Sequence, residues 1–419
     1  MSIRKGVNKL KGDNKMKKNR RIFVHKVGSA DKIGELTGQA FRLRNLLFDE
    51  GVNICILTFP VDHKKRINKA TYNIVLRGIN IIHTTNSKLI YKPLRDNPCL
   101  VYDKDNIYPI WYDNDNILKI FCKKYSEKKI DYHFSLTDLE NRMGNKLREE
   151  FQIPTNAKIV TLVVRESGYT SSDGVYNFRD ASIENYIPAV NYLIDQGFYV
   201  VRLGDKSMKR IKNTPSQFID APFHPNYTDL VDPYFISKSK FFFGCGTGPM
   251  ELASGFGIPI LATDLPIISQ SIVLDKKSLV IYKKLYSRKL KRNLTYEEIL
   301  MSPCIEFFDD KYYQEADIEV VPNTPEEIML ATKEMNERLD EKDFSSKDIN
   351  KVNQRVKNIH EKAICIYKNK QYIKEYLPNE HIKISYLPYY CTFLSKCQIS
   401  LEYTKLNPDF LGHDWSNFN

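Results

Sequence analysis

With 419 residues, 42% of them hydrophobic and 12% aromatic, the chain is too long for one ordinary core and suits two α/β domains with extra elements. The formal net charge of +12 is concentrated in part at the start, where nine Lys and Arg residues between Arg4 and Arg21 precede the first apolar run. The eight cysteines form no CxxC pair, no apolar leader opens the chain, and no run of about eighteen apolar residues occurs. A reducing cytoplasm and no membrane span are therefore expected. No zinc-ligand spacing or RNA-binding aromatic box is present, so no nucleic acid partner is expected. Residues 1–19 are expected to form a disordered basic tail, either a solubilising segment or one drawn to an anionic membrane surface at roughly 1 kcal/mol per basic residue.

In chain order, RRIFVHKV (Arg20 to Val27) reads as a strand, followed by a loop holding Gly28, Asp31 and Gly34. A helix comes next, with Ala40, Leu43, Leu46 and Leu47 at helical spacing, then the strand VNICILTF. INIIHTT adds a further strand, and Tyr91 to Ile130 reads as loops and short helices. A charged helix from Leu136 to Phe151 ends at Pro154 and Asn156, which mark a boundary between a first domain, 20–155, and a second, 156–343. The second domain opens with the strand KIVTLVVR (Lys158 to Arg165). It continues through the helix IENYIPAVNYLIDQG, the strands FYVVRLGD and QFID, and a helix at Asp229 to Ser239. This β and α alternation predicts two Rossmann-like halves. Beyond Leu265 come a basic segment, the strand IEVVP, a helix, and a mostly helical segment, 344–419. Its apolar stripe at Ile359, Ala363, Ile366, Tyr367 and Ile373 must be buried, and it is expected to pack back on the first domain.

The most informative stretch is KFFFGCGTGPMELASGFGIPIL (Lys240 to Leu261), which reads as strand, glycine turn, short helix and strand. Gly244, Gly246 and Gly248 allow close backbone approach, Pro249 sets an early helical φ, and the helix start offers N–H groups and partial positive charge to a phosphate. GCGTGP matches neither the dinucleotide fingerprint nor the P-loop, so an ordinary α/β turn is the competing reading. The stretch resembles the donor-binding element of GT-B glycosyltransferases, in which a small-residue turn opens a helix carrying a Glu.

Together with DKIGEL, TLVVRESGY, RDASIENYIPAVNYLIDQGFYVVRLGDK and YKKLYSRKLKRNLTYEEIL, the stretch makes residues 20–300 resemble GT-B-like bacterial glycosyltransferases of surface carbohydrate loci. The relatives tend to carry His after the Ile-Gly pair of the first loop, where Glu35 stands here. The resemblance implies an α/β fold of two Rossmann-like domains facing a cleft with a C-terminal helical segment. It also implies a nucleotide-sugar donor, a surface polysaccharide or lipid-linked acceptor, and a place on the inner face of the membrane. A fucosyltransferase-like enzyme is a nearby alternative, although VVRESGY lacks the first His and second Arg of its HxRRxD element. A nucleotide-sugar 2-epimerase and a non-catalytic basic scaffold are the others.

Donor chemistry without a metal needs cations and helix N-termini at the leaving diphosphate. Arg165 and Arg202, near the C-terminal ends of predicted parallel strands, are candidates, with structural ion pairs as the alternative. Gly246, Thr247 and Gly248 would offer amides and a hydroxyl, and the GT-B resemblance gives Glu251 the ribose. Asp180, Glu184 and Asn185 stand at a loop-to-helix junction where they could meet the sugar, and the alternative is that Asp180 or Ser182 only caps that helix. Asp31, Glu35 and Glu166 are candidate general bases, and His25 and Cys245 read as packing residues. No DxD-like pair stands at a strand end, so no cofactor and no obligatory metal are expected.

Overall fold

The computed structural model describes residues 21–27, 33–47, 53–58, 67–85, 99–103, 106–110, 117, 121, 124–125, 130, 132–167, 176–267, 277–340, 346–369 and 398–413. The basic tail and Asp31 therefore lie outside the described residues. The chain divides into two compact units, Met1–Ser135 and Leu136–Asn419.

The first unit runs β1 (Arg21–Val27), α1 (Ile33–Leu47), β2 (Asn53–Thr58), α2 (Lys69–Val75), β3 (Asn80–His83), β4 (Cys99–Asp103) and β5 (Asn106–Ile110). Its sheet has the order β3-β2-β1-β4-β5. The β1, β2 and β3 strands are parallel, as the expected βαβ opening requires, whereas β4 and β5 are antiparallel. That hairpin corrects the reading of Tyr91 to Ile130 as loops and short helices. Its strands are β-prone but short, and Pro109 is tolerated because β5 is an edge strand. The same region supplies core: Phe121 and Tyr125 are buried with Phe41 of α1, and the Tyr125 hydroxyl donates to the Asn45 carbonyl at 2.6 Å.

The second unit begins with α3 (Asp138–Glu150), β6 (Lys158–Val163), α4 (Ile187–Asp195), β7 (Phe198–Arg202), β8 (Phe218–Asp220), α5 (Val231–Ser237), β9 (Phe242–Gly244), α6 (Gly248–Phe256), β10 (Ile260–Leu265) and β11 (Leu279–Tyr282). There follow β12 (Lys284–Ser287), β13 (Arg292–Asn293), α7 (Tyr296–Leu300), α8 (Asp310–Glu315), β14 (Ile318–Val321), α9 (Pro325–Asp340), α10 (Lys347–Asn369), β15 (Gln398–Ile399) and α11 (Leu401–Leu406). The main sheet is β15-β11-β10-β9-β6-β7-β8, and all its pairings are parallel. Its central strands are continuous apolar runs because helices cover both faces: Phe242 and Phe243 are fully buried. A small antiparallel sheet, β13-β12-β14, stands beside it.

Two boundaries differ from the sequence reading. The charged helix α3 belongs to the second unit rather than the first: Gly144 lies so close to the Tyr234 ring of α5 that an added Cβ would come within 1.9 Å, and the Tyr234 hydroxyl donates to Asn145 at 2.8 Å. Pro154 therefore follows the helix end at Glu150 without separating domains. The described residues beyond 344, expected to pack back on the first domain, also belong to the second unit. β15 extends the main sheet, α11 packs on α9, and the buried Glu334 carboxylate takes the Ser400 hydroxyl and the amides of Leu401 and Glu402. The apolar stripe of α10 is buried at Ile359 and Ala363 but only half-buried at Ile366 and Tyr367, and Ile373 lies outside the described residues.

Candidate functional site

The order of the main sheet creates the site. After β6 the chain moves to β7 and β8 on one side; after β9 it moves to β10 and β11 on the other. Loops leaving β6 and β9 thus part in opposite directions over adjacent strand ends, which opens the crevice where parallel sheets bind ligands. Val163 of β6 lies opposite Gly244 of β9, so Arg165 follows one strand end and Gly246, Thr247 and Gly248 follow the other.

The glycine turn is shaped by contact. Gly244 has φ +140°, and a Cβ there would stand 1.9 Å from the Val163 carbonyl oxygen. The chain then rises into α6 with Thr247 at its N-cap in extended conformation. The Thr247 hydroxyl donates to the Cys245 carbonyl at 3.3 Å and does not cap the helix. Among the described residues no acceptor bonds the amides of Gly246, Thr247 or Gly248. These partly exposed N–H groups and the positive end of α6 form an anion-accepting corner. Glu251 stands partly exposed in the first turn of α6.

Cations surround this corner. The buried Arg165 pairs through Nε with Asp180 at 3.0 Å. Asp180 thus serves the arginine, and Ser182 makes no capping bond. Arg179 donates to the Gly246 carbonyl at 2.7 Å, and its short helical turn is capped by Asp310, which takes the amides of Asn177 and Phe178 at 2.7 Å each. Lys283 follows β11 almost wholly buried and donates to the Asp180 carbonyl. Burial pushes its ammonium pKa down, while Asp264, Cys245 and Asp180 oppose that shift.

Arg202 has a different place. It is fully buried, held by Glu166 at 2.6 Å and Asp220 at 3.4 Å, and donates to the Lys209 carbonyl at 2.7 Å. The ion-pair alternative therefore describes Arg202, whose guanidinium is enclosed by protein. Glu166, a candidate base, is engaged by the same arginine and by the Lys209 amide at 3.0 Å; burial raises its pKa against those contacts. Glu184 and Asn185 are not directed at a common ligand: Glu184 pairs with exposed Lys209 and Ser182, which hold its pKa down to about 2, and Asn185 donates to the Asn323 carbonyl. In the first unit, Glu35 sits in the first turn of α1 and accepts from Gln39 at 3.3 Å. Cys245 is fully buried with its thiol pKa pushed up to about 11 by burial, which suits packing and not nucleophilic attack.

Arg179, Lys283, Tyr186, Asp264 and Asn323 are residues of this region that sequence reasoning missed. Lys283 lay in a run read only as basic charge, although the flanking apolar LVIY was a strand signal. Among the described residues, no three His, Cys, Asp or Glu side chains gather where they could hold a metal ion, and no helix is long and apolar enough to cross a membrane.

No protein-family model matches the chain, and no curated protein matches its sequence. Among solved structures, the chain is similar to a family 9 glycosyl transferase from Veillonella parvula, at 8% identity and TM-score 0.45, over 79% of this chain and 100% of that one. It is also similar to E. coli ADP-heptose LPS heptosyltransferase II, at 12% identity and TM-score 0.30, over 57% and 83% of the two chains. E. coli heptosyltransferase WaaC with ADP-2-deoxy-2-fluoro heptose gives 11% identity and TM-score 0.30, over 62% and 92%.

Proposed function

We propose that this protein is a glycosyltransferase that moves a sugar from a nucleotide-activated donor to a surface polysaccharide or lipid-linked oligosaccharide. One observation carries the reading: at the switch point of the second sheet, three amides of the glycine turn lie without acceptors among the described residues, between Arg165, Arg179 and the start of α6. Such a corner suits a leaving diphosphate, whose charge grows as the bond to the anomeric carbon breaks, because fixed dipoles and cations need no reorganisation at that moment. Gly246, Thr247 and Gly248 bind the diphosphate, Arg165 supplies charge beside it, and Glu251 receives the ribose hydroxyls. Glu35 and Asp31 are the remaining candidates to take the acceptor proton, since Glu166 is engaged by Arg202. No obligatory metal is needed for this arrangement. The N-terminal basic tail holds the enzyme at an anionic membrane surface near its acceptor.

A thermal-shift series with ADP, GDP, UDP and CDP tests the donor site first. A nucleotide at 100 times its Kd adds about 2.7 kcal/mol of stability. Absence of a shift with all four at millimolar concentration removes the reading. Transfer or slow hydrolysis of the matching nucleotide sugar, lost in Glu35→Gln while nucleotide binding stays, then tests the chemistry.

A further inference from the structure

Behind the glycine turn lies a fully enclosed polar clasp centred on Asp264, the penultimate residue of β10. Asp264 is 0% exposed and holds φ +47°, a left-handed backbone that is uncommon for a non-glycine residue. Its amide donates to the Asn323 side-chain oxygen at 2.6 Å, and its Oδ1 accepts from the Asn323 amide at 2.7 Å. Asn323 donates in turn to the Tyr282 carbonyl at 2.8 Å, tying β10 to the end of β11.

The other carboxylate oxygen, Oδ2, accepts from the Tyr186 hydroxyl at 2.8 Å. A phenol has one proton, so with that proton given to Asp264 the Tyr186 oxygen is left to accept from Thr263 at 2.8 Å and from the Cys245 thiol at 3.3 Å. Cys245 is the residue between Gly244 and Gly246, at the base of the turn. A buried carboxylate is costly unless it is compensated, and a purely apolar filling would have sufficed to pack this space. Lys283 supplies the opposite charge and also holds the Asp180 loop that carries Arg165's partner.

We propose that Asp264 is a positioning residue of the diphosphate site, acting through Tyr186 on Cys245 to hold the glycine turn with its amides directed at the anion. This rests on the donor site proposed above. Asp264 is fully enclosed behind the turn, and its hydrogen-bonded path to the turn runs through the Tyr186 hydroxyl to Cys245, which makes that path separable from ordinary packing.

The test measures Kd for the tightest of ADP, GDP, UDP and CDP, well below the unfolding midpoint, with Tm recorded for each variant. Asp264→Gly accepts the left-handed backbone without strain but loses the side chain; Tyr186→Phe removes only the hydroxyl. Each is expected to weaken binding by about tenfold, the cost of one hydrogen bond's worth of positioning, and the double variant by no more than either alone. Asp264→Asn, whose oxygen keeps the Asn323 clasp while its NH2 replaces the oxygen that accepts from Tyr186, should weaken binding as Tyr186→Phe does, and wild-type affinity in it would overturn the Tyr186 path. A purely structural role would lower Tm in these variants and leave Kd unchanged, and that result overturns the inference. Additive losses in the double variant overturn it as well, since the two residues would then act separately. If Asp264→Gly does not fold, Tyr186→Phe decides alone, and wild-type Kd there is refutation. Failure of the wild-type chain to bind any of the four nucleotides overturns the donor-site reading and this inference with it, an outcome distinct from wild-type binding that the variants leave unchanged.

Discussion

Gly244→Ala examines the turn by its sterics. At Gly244 an added Cβ meets the Val163 oxygen at 1.9 Å and its carbonyl carbon at 2.8 Å, both backbone atoms of the neighbouring central strand, so neither can swing aside. The φ of +140° adds a conformation that L side chains rarely adopt. Strain of that kind costs about 1–3 kcal/mol, and forcing bulk into a packed interior about 1–3 kcal/mol more. The expected loss, about 2–6 kcal/mol, is a large part of the roughly 5–15 kcal/mol that holds a typical domain folded. Gly197→Ala is the internal control: its φ is +80°, but nothing lies within 4 Å of the added carbon. That variant should lose only the strain, about 1–2 kcal/mol. Urea denaturation followed by far-UV circular dichroism reads both midpoints, and nucleotide affinity reads the turn. Gly244→Ala with the same midpoint as Gly197→Ala would refute the steric argument, and unchanged affinity in a folded Gly244→Ala would separate the turn from ligand binding.

Arg202→Met should destabilise the protein by about 3–5 kcal/mol, because Glu166 and Asp220 are left part-buried without their cation; a variant of normal stability that has lost only nucleotide binding would return Arg202 to the donor site. Arg165→Ala should weaken nucleotide binding by about 1.5–3 kcal/mol, read by calorimetry, and unaltered affinity with an intact fold would make the Asp180 pair purely structural. Truncation at Phe344 should give insoluble protein, since it strips β15 and α11 from the second unit and leaves Glu334 without its three donors; a soluble, monomeric product in size-exclusion chromatography would contradict this. Burial holds the protons of Cys245 and Cys304 to about 11 and about 12, against an ordinary 9.0, so the folded chain binds them more tightly than the unfolded one. That contribution is complete below pH 9 and is lost as pH rises from about 9 toward 12. Stability should fall across that window, less steeply in Cys304→Ala, and the same slope in both proteins would refute the assignment.

The sequence by itself determined the strand runs, the amphipathic helices and the glycine turn, because each is written in neighbouring residues: apolar periodicity for Lys158 to Arg165, small residues and proline for Gly244 to Pro249. It also placed Arg165 at a strand end. What tertiary structure alone decided was who meets whom. Arg165 and Arg202 look equivalent in sequence, each near the end of a parallel strand, yet one borders the switch-point crevice and the other is enclosed by Glu166 and Asp220. The difference comes from strand order, which is set by the sum of long-range packing and not by local pattern. For the same reason the α3 helix joined the second unit through Gly144 and Tyr234, 90 residues apart in sequence, despite a proline that looked like a boundary. Asp264, Tyr186 and Asn323 carry no local motif, and only folding brings their hydrogen bonds together across 59 and 78 residues of chain.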